Sequence, residues 1–325
     1  METVNQTNQT PKQLATPKTP KSYLHTLAPI FVILAAVFWG ILVVFVRAFG
    51  QAEFKSMEIV TLRVYSSAIF AWIFLMIFDR KGQRDANSHH TKFCLRDSWC
   101  FIGTGLVSIV FFSYCYFRNV EVSSAAVAAI LMYTSPIFVT LLSAIFFKEK
   151  LTKTKLVALV LAIIGCALVS GIAGGISHVA PLGILLGLGS GIGYALYSIF
   201  GRFALAKGYS SFMVTAMTFT FACVGVLPFI DIVGLGSRLV AEPKYILLAL
   251  LMGLVGSCTP FALYTLGLRY MEASKAAILA TLEPIVTALV GTFFYKEPID
   301  VFIIVGIVMV LVAGVLCSAP PGKQQ

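Results

Sequence analysis

The sequence contains few charged residues for its length. Asp, Glu, Lys and Arg make up 12% of its 325 residues, about half the charged share of an ordinary soluble protein. Hydrophobic residues make up 58%, and the mean hydropathy is +0.91. Too little polar surface is left to cover a soluble domain, so we predict an all-α polytopic membrane protein.

Residues that serve catalysis and metal binding are also scarce. The four His residues lie in loops or tails, and the HEXXH, GXSXG and Walker phosphate-loop motifs are absent. The seven Cys residues lack paired spacing and lie mainly in apolar runs, which is typical of buried small side chains. We therefore expect no enzyme activity, no metal and no cofactor.

Apolar runs of helix-spanning length recur along the chain, each close to the twenty or so residues that a tilted membrane helix needs. We predict ten spans, at residues 28–48, 57–78, 99–117, 124–147, 155–172, 182–203, 212–232, 244–268, 275–295 and 300–318. Residues 1–27 lack the pattern of a signal peptide, so we expect a mobile tail there and a second short tail at 319–325. The polar connection 79–98 is predicted to be a cytoplasmic excursion without an assignable function.

The net charge of +10 is explained by membrane topology rather than by nucleic-acid binding, because of where the Lys and Arg residues lie. With a cytoplasmic N-terminus, seventeen Lys and Arg residues fall on the inner side and six on the outer side. Such an excess in short loops is the positive-inside pattern. We therefore expect both termini in the cytoplasm, and no nucleic-acid partner.

Internal repetition divides the chain into two halves. The segment 128–149, "AAILMYTSPIFVTLLSAIFFKE", matches 276–297, "AAILATLEPIVTALVGTFFYKE", at ten of 22 positions, where apolar bias alone would give roughly two or three. In the first span of each half, Arg47 aligns with Arg202, and Trp39-Gly40 aligns with Tyr194-Ala195. The chain is therefore predicted to be a tandem duplication of five spans.

A repeat with an odd number of spans enters the membrane from the opposite side in its second copy. The loop charge agrees, because "KEKLTKTK" (148–155) carries four lysines on the predicted inner side, whereas the homologous "KEPID" (296–300) carries one. Inverted repeats are the architecture of many secondary transporters, in which two halves rock about one central site.

These motifs resemble those of the EamA family of the drug/metabolite transporter superfamily. The resemblance rests on the Trp-Gly of the first span, "SSAAVAAILMYTSPIF" followed by "FFKEKLT", and "SKAAILATLEPIVTALVGTFFYKEP". It implies ten transmembrane helices as two inverted five-helix EamA repeats, 28–172 and 182–318, around a cavity reached alternately from each side. Members of the family move amino acids, drugs and other small metabolites.

Glu283 and Pro284 interrupt the ninth apolar run, and Ser135 and Pro136 hold the equivalent positions in the fourth. Each proline is predicted to kink its helix and so make room for a cavity. Two interpretations of Glu283 remain open. It either braces groups freed by the kink, or it is a protonatable group beside the substrate path and a candidate for proton coupling.

Other polar and aromatic residues inside the spans are weaker candidates. Arg63 is expected to extend to the membrane interface rather than to bind an anion in the cavity. Trp39 and Tyr194 are deep and related by the repeat, so they could stack on a flat or cationic substrate. The remaining aromatic candidates for the substrate cavity are Tyr114, Tyr133, Tyr197 and Tyr264.

The sequence thus favours a secondary active transporter of the plasma membrane that moves a small organic metabolite by alternating access. The closest alternative is a nucleotide-sugar or phosphometabolite exchanger, which should carry several Lys or Arg residues inside its spans. A membrane-embedded lipid-modifying enzyme is a remote alternative, because no polar catalytic cluster is visible. The expected partners are a small-molecule substrate and the lipid bilayer, and a homodimer is left open.

Overall fold

The computed structural model describes residues 22–79, 93–171 and 181–318, and every regular element within these ranges is a helix. The predicted tail 319–325, residues 1–21 of the N-terminal tail and most of the 79–98 connection lie outside the described residues. The helices are α1 (Leu24–Gln51), α2 (Ser56–Asp79), α3 (Leu95–Val122), α4 (Ala125–Phe147), α5 (Lys153–Val169), α6 (Pro181–Ala206), α7 (Ser211–Phe229), α8 (Ile232–Ala241), α9 (Lys244–Tyr270), α10 (Ala273–Tyr295) and α11 (Val301–Ser318).

Nine of the helices in the described ranges are long and apolar enough to cross a membrane. The remaining predicted span, 155–172, corresponds to α5. This helix has 17 residues and is therefore about 26 Å long at 1.5 Å per residue. It packs along α11, where the Gly165 and Gly306 backbones approach so closely that a Cβ built on Gly306 would lie 2.7 Å from the Gly165 carbonyl oxygen. The predicted ten-helix architecture is confirmed.

Local polar residues define several helix ends. The Ser124 and Ser210 side chains accept hydrogen bonds from the backbone N–H groups of Val127 and Met213 at the starts of α4 and α7, which satisfies donors that a helix leaves unpaired at its first turn. The ends of α4 and α10 are alike, because Lys148 and Lys296 both adopt left-handed backbone conformations, with φ of 54° and 60°. Both lysines turn the chain sharply before a glutamate.

The two halves share further departures from regular helix. Both α4 and α10 are broken in the middle, by turns at residues 133–134 and 281–282, a shift of 148 along the chain. Both α3 and α9 contain wide π-helical turns, at Gly103–Val110 and Leu254–Cys258. Because irregular turns at equivalent positions arise twice, the predicted two-repeat fold is confirmed by backbone geometry as well as by sequence.

The hydrophobic core lies largely between the repeats rather than within each one. Helix α1 of the first repeat packs on α9 and α10 of the second, and α6 of the second repeat packs on α3 and α4 of the first. The glycines of α6 allow this approach, since a Cβ built on Gly187 would meet Leu131 of α4 at 2.3 Å. Glycines of α6 thus form a packing surface for helices of the other repeat.

The outward faces of the bundle expose large apolar side chains, as expected where lipid is the solvent. Helix α8 was not predicted, because its ten residues are too few to span a membrane. Asp231 caps its start, because the carboxylate accepts a hydrogen bond from the Gly234 backbone N–H, and the helix exposes Val233 and Val240. Arg238 on this helix donates hydrogen bonds to the carbonyl oxygens of Ala52 and Glu53, which fixes α8 over the turn between α1 and α2.

Candidate functional site

A cavity of about 480 Å³ lies between helices of both repeats. Its walls come mainly from α1, α3, α4 and α10, with single residues from α2, α5, α6, α9 and α11. At its deep end lie Arg63 and Glu283, and at its shallow end lie the partly exposed side chains of Arg47 and Glu297. The cavity therefore runs from the middle of the bundle to the surface at the ends of α1 and α10, which we call the Arg47 end of the molecule.

Glu283 lies deep in the cavity because of the break in α10. It is the first residue of the second half of that helix, and Pro284 follows it in the first turn, where a missing N–H costs no helical hydrogen bond. The preceding turn is held by the Leu282 N–H, which bonds the Leu279 carbonyl oxygen at 3.2 Å. Pro136 has the equivalent place in α4, so each predicted kink is a complete interruption of the helix.

The Glu283 carboxylate is surrounded by polar groups from three other helices. The Tyr194 hydroxyl donates a hydrogen bond to Oε2 of Glu283 across 3.3 Å. Arg63 of α2 and Tyr133 of α4 lie within electrostatic reach of the same carboxylate. The Glu283 carboxyl group is thus partly buried beside a guanidinium and two phenols, in a cavity that also has apolar walls.

Arg63 lies inside the bundle, and the expectation that it extends to the membrane interface is wrong. Its Nη2 donates a hydrogen bond to the Ser113 hydroxyl across 3.2 Å, whereas its Nε is buried without a partner among the described residues. The guanidinium lies within electrostatic reach of Glu283, and a cationic side chain inside a membrane typically faces a partner of opposite charge in this way. The cavity therefore offers charges of both signs at its deep end.

Aromatic side chains form one wall of the cavity. The Trp39 and Tyr194 rings, which the repeat relates to each other, lie with their centroids 6.1 Å apart, and the Phe261 ring lies 5.1 Å from Trp39. Tyr133 faces the same space from α4. Four of the aromatic and acidic candidates from the sequence, Trp39, Tyr133, Tyr194 and Glu283, thus line a single cavity.

The other three aromatic candidates lie elsewhere. Tyr197 and Tyr264 line a much smaller buried pocket behind the aromatic wall, and their hydroxyls pair with Thr265 at 2.6 Å and Ser198 at 2.7 Å. Tyr114 is 37% exposed and packs on Phe229 at the surface. It points away because it is two residues from the cavity-lining positions 112 and 116, which is about half a helical turn.

At the Arg47 end, an ion pair beside the cavity joins the two repeats, in addition to the Arg238–Glu58 pair at 3.8 Å. Arg47 at the end of α1 donates from Nη1 to Oε1 of Glu297 across 2.7 Å, and the Arg47 guanidinium lies 4.3 Å from the centre of the Tyr295 ring. Both charged side chains are partly exposed, with 36% and 48% of their surface accessible. This pair lies beside the cavity mouth and leaves it open.

At the opposite end of the molecule, a larger charged cluster joins the repeats, which we call the Glu149 network. It consists of Glu149, Lys155, Arg202, Glu272 and Ser274. Glu149 and Lys155 are almost fully buried, and the Lys155 Nζ lies 3.2 Å from Glu272 Oε2. Among the described residues that line the cavity, none belongs to this network.

A second cross-repeat ion pair lies at the same end. The Lys207 Nζ, after α6, donates to Oδ1 of Asp97 at the start of α3 across 2.6 Å. Accepting this hydrogen bond, the Asp97 carboxylate raises the pKa of Lys207 above its ordinary value. The Glu149 end is therefore fastened by a network with two almost fully buried charged side chains, Glu149 and Lys155, whereas the pairs that join the repeats at the Arg47 end, Arg47–Glu297 and Arg238–Glu58, are partly exposed.

Within the described ranges, no group of three or more His, Cys, Asp or Glu residues is placed to hold a metal ion. Neither the cavity position of Arg63 nor the Arg47–Glu297 pair was predicted from the sequence. The internal repeat carried a signal for that pair, because it aligns Arg47 with Arg202 and Glu297 with Glu149. It gave no distance between the members of either pair.

In the described part of the chain, nine helices of membrane-spanning length and the slightly shorter α5 surround a central cavity in two repeats, an arrangement typical of transporters. The model of the EamA-like transporter family matches residues 26–171 and 181–319, so the chain belongs to this family. A protein from Archaeoglobus fulgidus named as an uncharacterized transporter is 29% identical over 294 residues, which cover 88% of this chain and 94% of that protein. A Helicobacter pylori protein with the same designation is also 29% identical, over 89% of this chain and 93% of its own length.

The fold is also found among solved structures. One crystal structure superposes with a TM-score of 0.68 over 89% of this chain and 95% of that chain, at 13% identity. At this identity the likeness extends to the fold alone. The curated relatives are named as transporters, and their names specify neither a substrate nor an energy source.

Proposed function

We propose that this protein is a secondary active transporter that moves a small organic metabolite across the plasma membrane by alternating access. The observation that carries the proposal is the cavity of about 480 Å³ between the repeats, which opens at the Arg47 end, with the Glu149 network at the opposite end. Rocking of one repeat against the other would open the same site to the opposite side.

The charges at the deep end support an amino acid or a related compound as the substrate. Arg63 is suited to a carboxylate and Glu283 to an ammonium group, and the aromatic wall of Trp39 and Tyr194 suits an apolar or flat side chain. A cavity of about 480 Å³ has room for a small metabolite. Its volume falls in the ordinary range for small-molecule sites, about 300–1,000 Å³.

Exchange of a phosphorylated metabolite or a nucleotide sugar is the second candidate, and the inward position of Arg63 favours it. A phosphate needs several donors, and in the described part of the cavity Arg63 is joined only by Arg47, which already pairs with Glu297. The amino-acid class therefore fits the charges better.

The excess of Lys and Arg in the loops supports an orientation with both termini in the cytoplasm. The cavity then faces outward in the state described. Uptake by purified protein in proteoliposomes tests the function, with a panel of amino acids, sugar phosphates and nucleotide sugars, each with and without a proton gradient. Saturable uptake of an amino acid supports the first candidate, and uptake restricted to phosphorylated compounds supports the second.

A further inference from the structure

Two ion pairs at opposite ends of the molecule are related by the internal repeat. Arg47 and Glu297 pair across 2.7 Å at one end, and Arg202 and Glu149 pair across 3.3 Å at the other. In each pair the arginine comes from the first helix of one repeat, and the glutamate follows the broken helix of the other repeat. Each pair therefore bridges the two repeats.

The surroundings of the arginines are related in the same way. The Arg47 guanidinium lies 4.3 Å from the ring centre of Tyr295, and the Arg202 guanidinium lies 5.4 Å from that of Phe147. Tyr295 and Phe147 each precede the glutamate of the pair by two residues. The same local unit of aromatic ring, left-handed lysine and glutamate thus occurs at both ends of the molecule.

The two glutamates nevertheless differ in what they bind. The Glu149 side chain is 4% exposed, and its carboxylate accepts hydrogen bonds from the backbone N–H groups of Ala273, at 2.8 Å, and Ser274, at 3.2 Å. A carboxylate at a helix start is stabilised by these charge-assisted bonds and by the helix dipole. Glu149 therefore fastens the start of α10, and the molecule is closed at this end.

Glu297 lies away from the equivalent helix start. A Cβ built on Gly291 would lie 2.2 Å from Glu297 Oε2, so the carboxylate rests in a space that exists because residue 291 is glycine. The counterparts of Ala273 and Ser274 are Ala125 and Ala126 at the start of α4, and both line the open cavity. The unit at the Arg47 end is thus the open form of the unit that is closed at the Glu149 end.

We propose that the carboxylates of Glu149 and Glu297 cap the starts of α10 and α4 in turn, one in each state of the transporter, and we call these two glutamates the latches. When the cavity closes at the Arg47 end, the Glu297 carboxylate leaves Gly291 and accepts the backbone N–H groups of Ala125 and Ala126. Glu149 then releases Ala273 and Ser274, and the cavity opens at its own end. This proposal rests on the alternating access proposed above, and it identifies the groups that stabilise each state.

Accessibility of a cavity cysteine from each side of the membrane tests the latches without a known substrate. Ala129→Cys, which lines the cavity, is introduced together with Cys94→Ala, which removes an exposed native thiol. The protein is reconstituted in vesicles of either orientation, and the rate of reaction with a membrane-impermeant maleimide is measured. The same background without Ala129→Cys provides the blank.

Glu297→Gln removes the charge of the latch that is open in this state. Labelling is expected to rise at the Arg47 end and to fall at the Glu149 end, each by about threefold or more, because closure at the Arg47 end is weakened. Glu149→Gln should give the opposite change. Glu121→Gln is the matched control, since Glu121 pairs with Arg118 on its own helix and joins no repeats.

Gly291→Ala tests the resting position independently of any charge change. The added Cβ displaces the Glu297 carboxylate, so labelling should shift toward the Glu149 end, and the shift should vanish in a Glu297→Ala background. Gly236→Ala is the control, because a Cβ there meets nothing within 4 Å. Since Glu297 is half-exposed in this state, its variants should fold even where Glu149→Gln does not.

The outcomes separate the latches from transport itself. If Ala129→Cys reacts from one side only, alternating access fails and the latches with it. If it reacts from both sides and Glu297→Gln behaves like Glu121→Gln, alternating access stands and the latches are overturned. The double variant Arg47→Glu with Glu297→Arg restores an ion pair, but residue 297 then has no carboxylate to accept the backbone N–H groups at the start of α4. If this variant still closes at the Arg47 end, the capping role is also overturned.

Discussion

The hydroxyl of Tyr194 donates a hydrogen bond to the Glu283 carboxylate across 3.3 Å, joining the first helix of the second repeat to its broken helix. Arg63 of the first repeat acts on the same carboxylate. Three residues that are distant in sequence thus meet at the deep end of the cavity. Each can be changed there without removing a large apolar side chain from the core.

Glu283→Gln separates proton coupling from bracing. Gln keeps the shape and much of the hydrogen bonding but cannot carry a proton through the cycle. If Glu283 is the coupling group, accumulation driven by a pH gradient should fall by about tenfold or more, with exchange between equally loaded compartments spared. Both rates are measured in proteoliposomes, and a Gln variant that accumulates substrate normally would leave only the bracing role.

A double-mutant cycle measures the contact between Tyr194 and Glu283. Tyr194→Phe, Glu283→Ala and the double variant should show a coupling energy of about 1–3 kcal/mol, as expected for a hydrogen bond to a charged group. The free energy of unfolding in detergent provides the measurement. The cycle of Tyr197→Phe with Glu283→Ala is the control, because the Tyr197 hydroxyl pairs with Thr265. Equal coupling in both cycles would contradict a specific contact.

Pro136→Ala and Pro284→Ala restore a backbone N–H at the breaks in α4 and α10. Each substitution should favour a continuous helix and narrow the cavity, so the transport rate should fall by about tenfold, with membrane insertion unchanged. Insertion is checked by the amount of folded protein in the membrane. Pro243→Ala, before α9 and away from the cavity, is a suitable control. Transport at the control rate in both variants would show that the breaks do not depend on proline.

The proposed orientation predicts which ends are accessible in intact cells. In a Cys94→Ala background, Ser237→Cys on α8 should react with an impermeant maleimide from outside. Lys153→Cys at the start of α5 should react only after permeabilisation, because the lysine-rich loops are expected to face inward. The opposite pattern would reverse the orientation and make the cavity face the cytoplasm.

The sequence predicts the positions of the membrane helices well and the directions of their side chains poorly. Helix α4, for example, begins at Ala125 and ends at Phe147, against a predicted 124–147, because the run of apolar residues sets the length that lipid can cover. The repeat also singled out Trp39 and Glu283. Arg63 was misplaced because hydropathy gives depth along a helix, whereas the face that meets Glu283 depends on how α2 packs.

Other features could not be read from local sequence. The wide turns in α3 and α9 pack against helices of the other repeat, and the glycines that both contain also occur in the regular helices, so they do not mark such turns. Tyr114 and Tyr133 are the same residue type within predicted spans, yet only Tyr133 faces the cavity. The ion pairs at the two ends depend on contacts between residues about 50 to 250 positions apart. A sequence repeat identifies which positions are equivalent, and the structure is needed to pair them.

The close approach of Gly165 and Gly306 has a mechanical consequence. The two main chains touch at these glycines, and neither glycine has a side-chain rotamer to rearrange when the helices tilt. We expect α5 and α11 to keep this contact in both states and to act as a hinge about which the two repeats rotate. A methyl group at either glycine would push α5 and α11 apart, and the two repeats would then lose their common hinge.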